Sequence, residues 1–146
     1  MSRGPYDETC LFCRIAAGAE SAHLVMEDAG FVAFLDVRPL FPGHTLLVPR
    51  PHHTTLADLP VQRVGPLFER AQRLSVAVRD AAAAEGSFVA MNNVVSQSVP
   101  HLHVHVVPRV KGDGLRGFFW PRTTYDGDEH AAEVAGRIRA ELGRLR

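Results

Sequence analysis

Residues 100–109 read PHLHVHVVPR, and this stretch sets three histidines at intervals of two. In a β-strand alternate side chains point to opposite faces, so the spacing predicts that the aliphatic residues enter a core. His101, His103 and His105 would then line the other face, with successive Cα atoms about 6.6 Å apart. Such a row indicates a metal site, a catalytic face or a coincidence.

The composition is that of one ordinary soluble domain, with 46% hydrophobic and 22% charged residues in a chain of 146. Lys plus Arg and Asp plus Glu number 16 each, so there is no overall basic field to collect nucleic acid. No run approaches the roughly 18 apolar residues of a membrane-spanning helix, and the first residues lack the pattern of a secretory signal. We therefore expect a cytoplasmic protein that binds neither nucleic acid nor membranes.

Five short segments have the composition of β-strands. They are His23–Glu27, Phe31–Asp36, His44–Pro49, Ser87–Asn92 and the histidine stretch itself. Residues 28–30 predict a tight turn between the first two strands. The predicted sheet is mainly antiparallel, because the first two strands form a hairpin.

The segment between the third and fourth strands has the period of an amphipathic helix. Its predicted buried stripe consists of Val64, Leu67, Phe68, Ala71, Leu74, Val78 and Ala81. Gly65 and Pro66 interrupt the pattern near its start, so we expect one turn before them and a regular helix after them.

A second helix is predicted at 128–146, with Asp128 as its N-cap. Its apolar face would consist of Ala131, Val134, Ile138, Leu142 and Leu145. The glycine- and proline-containing residues 111–127 predict a loop or arm. Because the sequence has no internal repeat or linker, we expect a single α+β domain over residues 1–146.

Cys10 and Cys13 form a C-x-x-C pair, which in a reducing compartment suits metal or redox chemistry better than a structural disulfide. Two histidines would complete a tetrahedral site, and His52, His53 and His101 are the candidates. Thiolates with imidazoles favour zinc over calcium or magnesium. Four protein ligands would make the site structural, and it would fix the end of the histidine stretch. Alternatively, the cysteines are small core residues.

Histidine offers a neutral nitrogen nucleophile near pH 7. His103 could attack phosphorus if one ring N–H were held by an acceptor and the other nitrogen faced the substrate. Upstream, Ser96, Gln97 and Ser98 could bind the oxygens of a phosphorus centre. A three-histidine metal site is disfavoured, because successive imidazoles on one strand rarely converge on one ion.

The segment after the histidine stretch is locally basic. A single acid, Asp113, accompanies Arg109, Lys111, Arg116 and Arg122. This excess of positive charge suits a polyphosphate tail, and solvated surface charge is the alternative. For the aromatic residues of FFWPR, Phe118–Arg122, we favour packing on the core or a dimer contact.

The stretch HLHVHVV, residues 101–107, fits the signature H-φ-H-φ-H-φ-φ, where φ is hydrophobic, and the chain closely resembles the histidine triad (HIT) family of nucleotide hydrolases and transferases. The resemblance covers nearly the whole chain, including CLFCRI at 10–15, FVAFLDVRPLFPGHTLLVPRPHH at 31–53 and NNVVSQSVPHLHVHVVPR at 92–109. It implies a HIT-like α+β fold with an antiparallel sheet of about five strands, one long helix and a C-terminal helix. It also implies a homodimer, with the long helix at or near the contact.

The resemblance implies a division of labour among the polar residues. His103 would be the nucleophile on the α-phosphate of a nucleotide, giving a nucleotidyl-histidine intermediate. His105 would contact the phosphate or the bridging oxygen, and His44 would help to orient the catalytic face. Ser98 and Gln97 would contact the phosphate or the leaving group.

The zinc-containing members of the family imply a ligand set for the C-x-x-C subtype. Carried onto this chain, the ligands are Cys10, Cys13, His52 and His101, and the zinc is structural. The family's P-K/R-x-H spacing selects His52 over His53.

The resemblance also implies a nucleoside pocket. Phe12, Ile15 and Phe34 would contact the base, with core packing as the alternative, and Asp36 would accept hydrogen bonds from the ribose hydroxyls. Asn93 is the candidate for a polar residue that ends the preceding strand in relatives. Here only VVS separates it from QSV, so this loop is shorter than in many relatives.

The leading functional interpretation is hydrolysis of a nucleoside 5′-phosphate derivative by covalent catalysis on His103. The substrate would be a dinucleoside polyphosphate or a nucleoside phosphoramidate, and nothing local to the triad decides between these leaving groups. One alternative is nucleotidyl transfer or phosphorolysis, in which phosphate or a sugar phosphate replaces water. Another is a zinc-stabilised nucleotide-binding dimer with little turnover.

Overall fold

The computed structural model describes residues 5–116 and 121–145, so the aromatic residues 118–120 of FFWPR lie outside the described residues. The chain divides into two compact units, Met1–Asp113 and Gly114–Arg146. The first unit contains a sheet and two helices: α1 (Leu11–Ala16), β1 (Leu24–Glu27), β2 (Phe31–Leu35), β3 (Thr45–Pro49), a 3-10 turn (Leu56–Asp58), α2 (Val61–Ala81), β4 (Gly86–Ala90) and β5 (Val104–Arg109). The second unit contains α3 (Asp128–Leu142).

The five strands form one sheet in the order β1-β2-β3-β5-β4, and all neighbouring strands are antiparallel. The turn predicted between β1 and β2 is present. Asp28 Oδ1 accepts hydrogen bonds from the N–H groups of Gly30 and Phe31, both at 2.9 Å. The predicted α+β fold class and the five-stranded antiparallel sheet are confirmed.

The histidine stretch is a strand only in its second half, which corrects the prediction. β5 begins at Val104, and its ladder with β3 starts at the pair Leu47 and Val104. The residues before it bond to the segment that follows β3, since the Leu102 N–H donates to the His53 carbonyl at 2.7 Å. The predicted alternation nevertheless holds, because Leu102, Val104 and Val106 are fully buried.

The alternation of side chains produces two buried groups, one on each face of the sheet. On one face, Ala33 and Leu47 pack with α2 and with the aliphatic residues of the histidine stretch. On the other face, Val32 and Val48 pack with α1. The register pairs His105 with Leu46 of this second group, so the histidines lie on the α1 side of the sheet.

The buried stripe of α2 is narrower than predicted. Leu67, Ala71, Leu74 and Val78 are buried, whereas Phe68 and Ala81 are exposed. Phe68 lies about 100° around the helix from Leu67, which turns it away from the sheet. A turn precedes Gly65 and Pro66 and a regular helix follows them, as predicted, but α2 runs through both residues without the expected interruption. Pro66 has no N–H, so it removes one main-chain hydrogen bond of the helix.

Helix α3 begins at Asp128, so Gly127 is its N-cap and the predicted capping role of Asp128 is wrong. Gly127 has a φ of 144°, a conformation that glycine adopts without strain. The helix ends at Leu142, earlier than predicted, and none of its residues is buried. The expectation of a single domain over residues 1–146 stays a prediction. Within the described ranges, no helix is both long enough and apolar enough to cross a membrane.

Candidate active site and metal centre

The four predicted metal ligands lie together. The ligand atoms of Cys10, Cys13, His52 and His101 are all within 4.8 Å of one another. His101 Nδ1 lies 3.4 Å from Cys10 Sγ and 3.5 Å from Cys13 Sγ, and His52 Nδ1 lies 3.3 Å from Cys13 Sγ. A tetrahedral site with Zn–S of about 2.3 Å and Zn–N of about 2.0 Å has sulfur–nitrogen separations of about 3.5 Å. The donor set and its spacing therefore fit zinc.

Three parts of the chain supply these ligands. Cys10 caps α1 and accepts a hydrogen bond from the Cys13 N–H at 3.4 Å, so the C-x-x-C spacing places both thiols at the first turn. His52 follows β3, and His101 precedes β5. His53, the neighbour of His52, is not part of the cluster. The choice of His52 over His53 agrees with this geometry.

Burial sets the protonation of the cluster. It raises the pKa of the Cys13 thiol to about 11 and lowers the pKa of His101 to about 4. The His101 Nε2–H donates to the Pro49 carbonyl at 2.8 Å, so the lone pair on Nδ1 faces the sulfurs. A cation is the group that would stabilise thiolates in this buried position.

His103 is held in one tautomer. Its Nδ1 lies 2.8 Å from the His101 carbonyl oxygen, which can only accept, so Nδ1 carries the proton. The lone pair is consequently on Nε2. The ring is buried, and the edge of Phe12 packs against it with ring centroids 5.1 Å apart. This arrangement meets the condition that nucleophilic attack would need.

His44 and His105 form a hydrogen-bonded chain with a fixed direction. The Leu40 N–H donates to His44 Nδ1 at 3.0 Å, so the proton of His44 is on Nε2. That nitrogen lies 2.9 Å from His105 Nδ1, which must accept. His105 therefore carries its proton on Nε2 and offers it as a donor.

The imidazoles of His44 and His105 are both neutral near pH 7. Burial, and next the neighbouring His103 and His44, lower the pKa of His105 to about 4. Burial also lowers the pKa of His44, and Asp36 opposes that shift, since its Oδ2 lies 3.7 Å from His44 Nε2. This neutral pair of imidazoles can donate a hydrogen bond without carrying charge into the site.

The predicted base-binding residues are buried. Phe12, Ile15 and Phe34 belong to the core group on the α1 face of the sheet, and the rings of Phe12 and Phe34 meet edge to face at 5.3 Å. Because Phe12 also contacts His103, this group forms one wall of the triad. Asp36 stands near His44 and accepts the Arg38 N–H at Oδ1 at 2.9 Å.

Asn93 and Gln97, the amides predicted to contact the nucleotide, form hydrogen bonds within the protein. Asn93 Oδ1 accepts from the Leu56 N–H at 2.8 Å. Gln97 accepts from the Val94 N–H at 2.9 Å and donates to the Thr54 carbonyl at 2.6 Å. These bonds fasten the β4–β5 loop to the turn before α2.

The same loop has an unusual backbone at two positions. Val94 and Ser96 have φ of 71° and 61°, a region that costs a β-branched residue such as valine roughly 1–3 kcal/mol. The Gln97 amide bonds directly to the Val94 N–H and so holds this conformation. Ser98 follows immediately and is exposed.

Arg109, one of the basic residues considered for a polyphosphate tail, is engaged elsewhere. Its guanidinium makes two bonds to the Asp113 carboxylate, at 2.5 and 2.9 Å. The single acid of the segment thus pairs with its first arginine. This pairing weakens the argument for a polyphosphate tail.

The residues that sequence reasoning missed act through their main chains. The Leu40 N–H sets the tautomer of His44, the Pro49 carbonyl sets that of His101, and the His101 carbonyl sets that of His103. Every residue but proline carries both of these main-chain groups, so no residue type signals such a role.

Comparison with known proteins gives a consistent match. The HIT domain family matches residues 17–112. An uncharacterised HIT-like protein of Mycobacterium tuberculosis is 38% identical, over 90% of this chain and 91% of that protein. A protein of Arabidopsis thaliana named adenylylsulfatase is 31% identical, over 91% and 69% of the two chains. A protein of Saccharomyces cerevisiae named adenosine 5′-monophosphoramidase is 30% identical, over 93% and 82%.

Two solved structures have the same fold. A HIT family protein of Bacillus subtilis superposes with a TM-score of 0.84 at 30% identity, covering 95% of this chain and 99% of that one. A zinc-bound histidine triad family protein of Mycobacterium smegmatis superposes with a TM-score of 0.70 at 33% identity, covering 94% and 98%.

Proposed function

The chain belongs to the histidine triad (HIT) family, and from this premise we propose that it hydrolyses a nucleoside 5′-phosphate derivative through a nucleotidyl-histidine intermediate on His103. The observation that carries the proposal is the hydrogen bond from His103 Nδ1–H to the His101 carbonyl, which leaves Nε2 as a nucleophile. The relatives named adenylylsulfatase and adenosine 5′-monophosphoramidase support the hydrolase class.

In the first half-reaction, the lone pair of His103 Nε2 forms a bond to the α-phosphorus, and the bond to the leaving group breaks with its electron pair. The His101 carbonyl stabilises the positive charge that the ring acquires. His105 Nε2–H donates to a phosphate oxygen, and the Ser98 hydroxyl contacts the phosphate or the leaving group. In the second half-reaction, water attacks phosphorus and releases one proton to solvent, the electron pair of the N–P bond returns to His103 Nε2, and a nucleoside monophosphate leaves.

We propose that the nucleoside lies beside the wall of the triad. The base would contact the group formed by Phe12, Ile15 and Phe34, and the ribose hydroxyls would donate to Asp36. The position of Asp36 beside His44 supports this assignment. Asn93 and Gln97 would act on the nucleotide by holding the loop that carries Ser98.

Cys10, Cys13, His52 and His101 would hold a structural zinc ion. Bound zinc would supply a cross-link between α1, the end of β3 and the start of the triad. The clustering of the four ligand atoms supports this proposal, as does the zinc-bound relative.

We propose a homodimer built on β4 and α2. β4 is an edge strand, and the apolar residues Phe68 and Val89 are 43% and 40% exposed. In sedimentation experiments, the parent should have twice the monomer mass and Phe68→Glu should be monomeric. Val25→Lys, on the opposite edge strand, is the control and should remain dimeric. A monomeric parent would refute this interface.

We also propose a cytoplasmic location. Cys10 and Cys13 are both free thiols, the form that a reducing compartment preserves. Cell fractionation with an antibody tests this, and recovery outside the cytoplasm would contradict it.

The function is tested with a substrate panel of dinucleoside polyphosphates, nucleoside phosphoramidates, adenylyl sulfate and nucleotide sugars, scored by initial rate. The parent should turn over at least one class, and His103→Ala should lose roughly a thousandfold or more of kcat. His53→Ala, a neighbour outside the ligand cluster, is the control. Retention of the parent's turnover by His103→Ala would refute covalent catalysis.

The fate of the intermediate separates hydrolysis from transfer. Alkaline quenching, which preserves the acid-labile N–P bond, followed by mass spectrometry without acid should find a nucleotidyl group on the peptide that contains His103. Products are then compared with and without inorganic phosphate. A nucleoside diphosphate formed only when phosphate is present would indicate phosphorolysis in place of hydrolysis.

A further inference from the structure

His101 belongs to two sites at once. Its ring nitrogen Nδ1 lies within 3.5 Å of both thiols of the metal cluster, and its carbonyl oxygen accepts the Nδ1–H of His103 at 2.8 Å. The ring and the carbonyl are parts of one residue, so an anchored ring limits how far the main chain that carries the carbonyl can move. A single residue, His101, therefore links the metal cluster to the hydrogen bond that sets the tautomer of His103.

The sheet does not fix this carbonyl. The ladder of β5 begins at Val104, so residues 101–103 have no strand pairing. The ring of His101 is bonded to the end of the sheet, since its Nε2–H donates at 2.8 Å to the carbonyl of Pro49, the last residue of β3. Its main-chain N–H donates to the Val99 carbonyl in the preceding loop, also at 2.8 Å. The Leu102 N–H donates to the His53 carbonyl at 2.7 Å.

The cluster adds further links between this segment and the rest of the fold. Cys10 and Cys13 connect His101 to α1, and His52 connects it to the segment after β3. The rings of His52 and His101 also pack edge to face, with centroids 5.0 Å apart. A loosened cluster would thus remove three of the ties on the His101 ring and leave the bond to Pro49, while the strands stay paired.

From this geometry we propose that Cys10, Cys13 and His52 are positioning residues for the reaction: by holding His101 they keep its carbonyl on His103 Nδ1 and so keep the nucleophilic lone pair on Nε2. The inference rests on the proposed function of His103. Without the carbonyl, the His103 ring is free to carry its proton on Nε2, and in that tautomer it cannot attack phosphorus.

The test measures the tautomer directly. Nitrogen-15 NMR of the histidine rings in the full-length, zinc-loaded protein should show His103 protonated at Nδ1. His52→Ala should bind less zinc, show a mixture of His103 tautomers and lose about tenfold or more of kcat. His52→Cys restores a soft ligand and should recover the zinc content, the single tautomer and most of kcat. His53→Ala should match the parent in all three measurements.

A second arm covers the case in which His52→Ala does not fold. Zinc is removed from the parent with a chelator and then added back, and the same spectra and rates are recorded. Val78→Ala, in the α2 core and away from the cluster, is the control for a general loss of stability. It should lower the melting temperature without changing the His103 tautomer.

Three results would overturn the inference. Zinc loss with an unchanged tautomer and unchanged kcat would make the site purely structural. A lower kcat with an unchanged tautomer would show that the effect takes another route. A Val78→Ala variant with mixed tautomers would show that any destabilisation has this effect. Failure of the proposed function is a separate result, since it is seen as unchanged turnover in His103→Ala whatever the tautomer.

Discussion

Each histidine of the 101–105 row makes a different kind of hydrogen bond. His101 donates from Nε2 to Pro49, His103 donates from Nδ1 to His101, and His105 accepts at Nδ1 from His44. The other ring nitrogen carries a lone pair that faces the two thiols in His101, a lone pair in His103 and a donor N–H in His105. Three residues of one type thus offer three different groups.

The burial of His105 predicts that the free energy of unfolding depends on pH. Its pKa is about 4 in the folded protein against an ordinary value of 6.5. Above pH 6.5 the ring is neutral in both states. Below that, the unfolded chain takes up a proton first, so the free energy of unfolding falls as the pH falls from 6.5 to 4, by at most roughly 3 kcal/mol for this group.

The measurement is urea denaturation of the parent and of His105→Asn at several pH values between 7.5 and 4.5. Asparagine can still accept from His44 but does not titrate, so the variant should lose less stability on acidification. The other buried histidines are common to both proteins and cancel in the comparison. Equal losses in the two proteins would show that His105 does not resist protonation.

At the scale of elements, patterns that depend on side-chain periodicity were predictable. β1 to β4 lie within one or two residues of the predicted ends, and a long helix, α2, lies between β3 and β4 as predicted, because alternation and the 3.6-residue period record burial directly. The late start of β5 and the cap at Gly127 were not predictable. They depend on main-chain bonds to other segments and on a backbone angle, which residue types do not encode. The candidate metal site was predictable in part: the C-x-x-C spacing carries a signal for soft ligands, whereas the choice of His52 came from the family resemblance.

The side chain of Gln97 supports the β4–β5 loop. Gln97→Ala removes the bonds to Val94 and Thr54. We expect it to lower the free energy of unfolding by about 1–2 kcal/mol and to lower kcat/KM, because Ser98 loses its support. The measurements are urea denaturation and initial rates.

Gln72→Ala, at an exposed position of α2, is the matched control and should change stability by less than about 0.5 kcal/mol. If Gln97→Ala raises KM while stability is unchanged, the amide contacts substrate directly and the anchoring role is wrong.

At the scale of the whole molecule, the candidate site lies in one compact unit. The four candidate metal ligands, the histidine row and all five described strands lie within Met1–Asp113, and the HIT domain match ends at residue 112. Residues of this unit that are far apart in sequence meet at the cluster, where Cys13 Sγ lies 3.5 Å from His101 Nδ1, 88 positions away. A cross-link of this span restricts the unfolded chain strongly, so bound zinc should stabilise the unit.

This organisation predicts that a chain truncated after Gly114 folds without the second unit. It should unfold cooperatively, bind zinc in the same ratio as the full chain and retain the His103 tautomer, as measured by thermal denaturation, elemental analysis and NMR. A chain truncated after Gly112 is the matched control. It lacks Asp113, whose carboxylate makes two bonds to Arg109, and should be less stable by about 1–3 kcal/mol. If the chain ending at Gly114 does not fold, the boundary at Asp113 is not a folding boundary, and the expectation of one domain over residues 1–146 is the correct description.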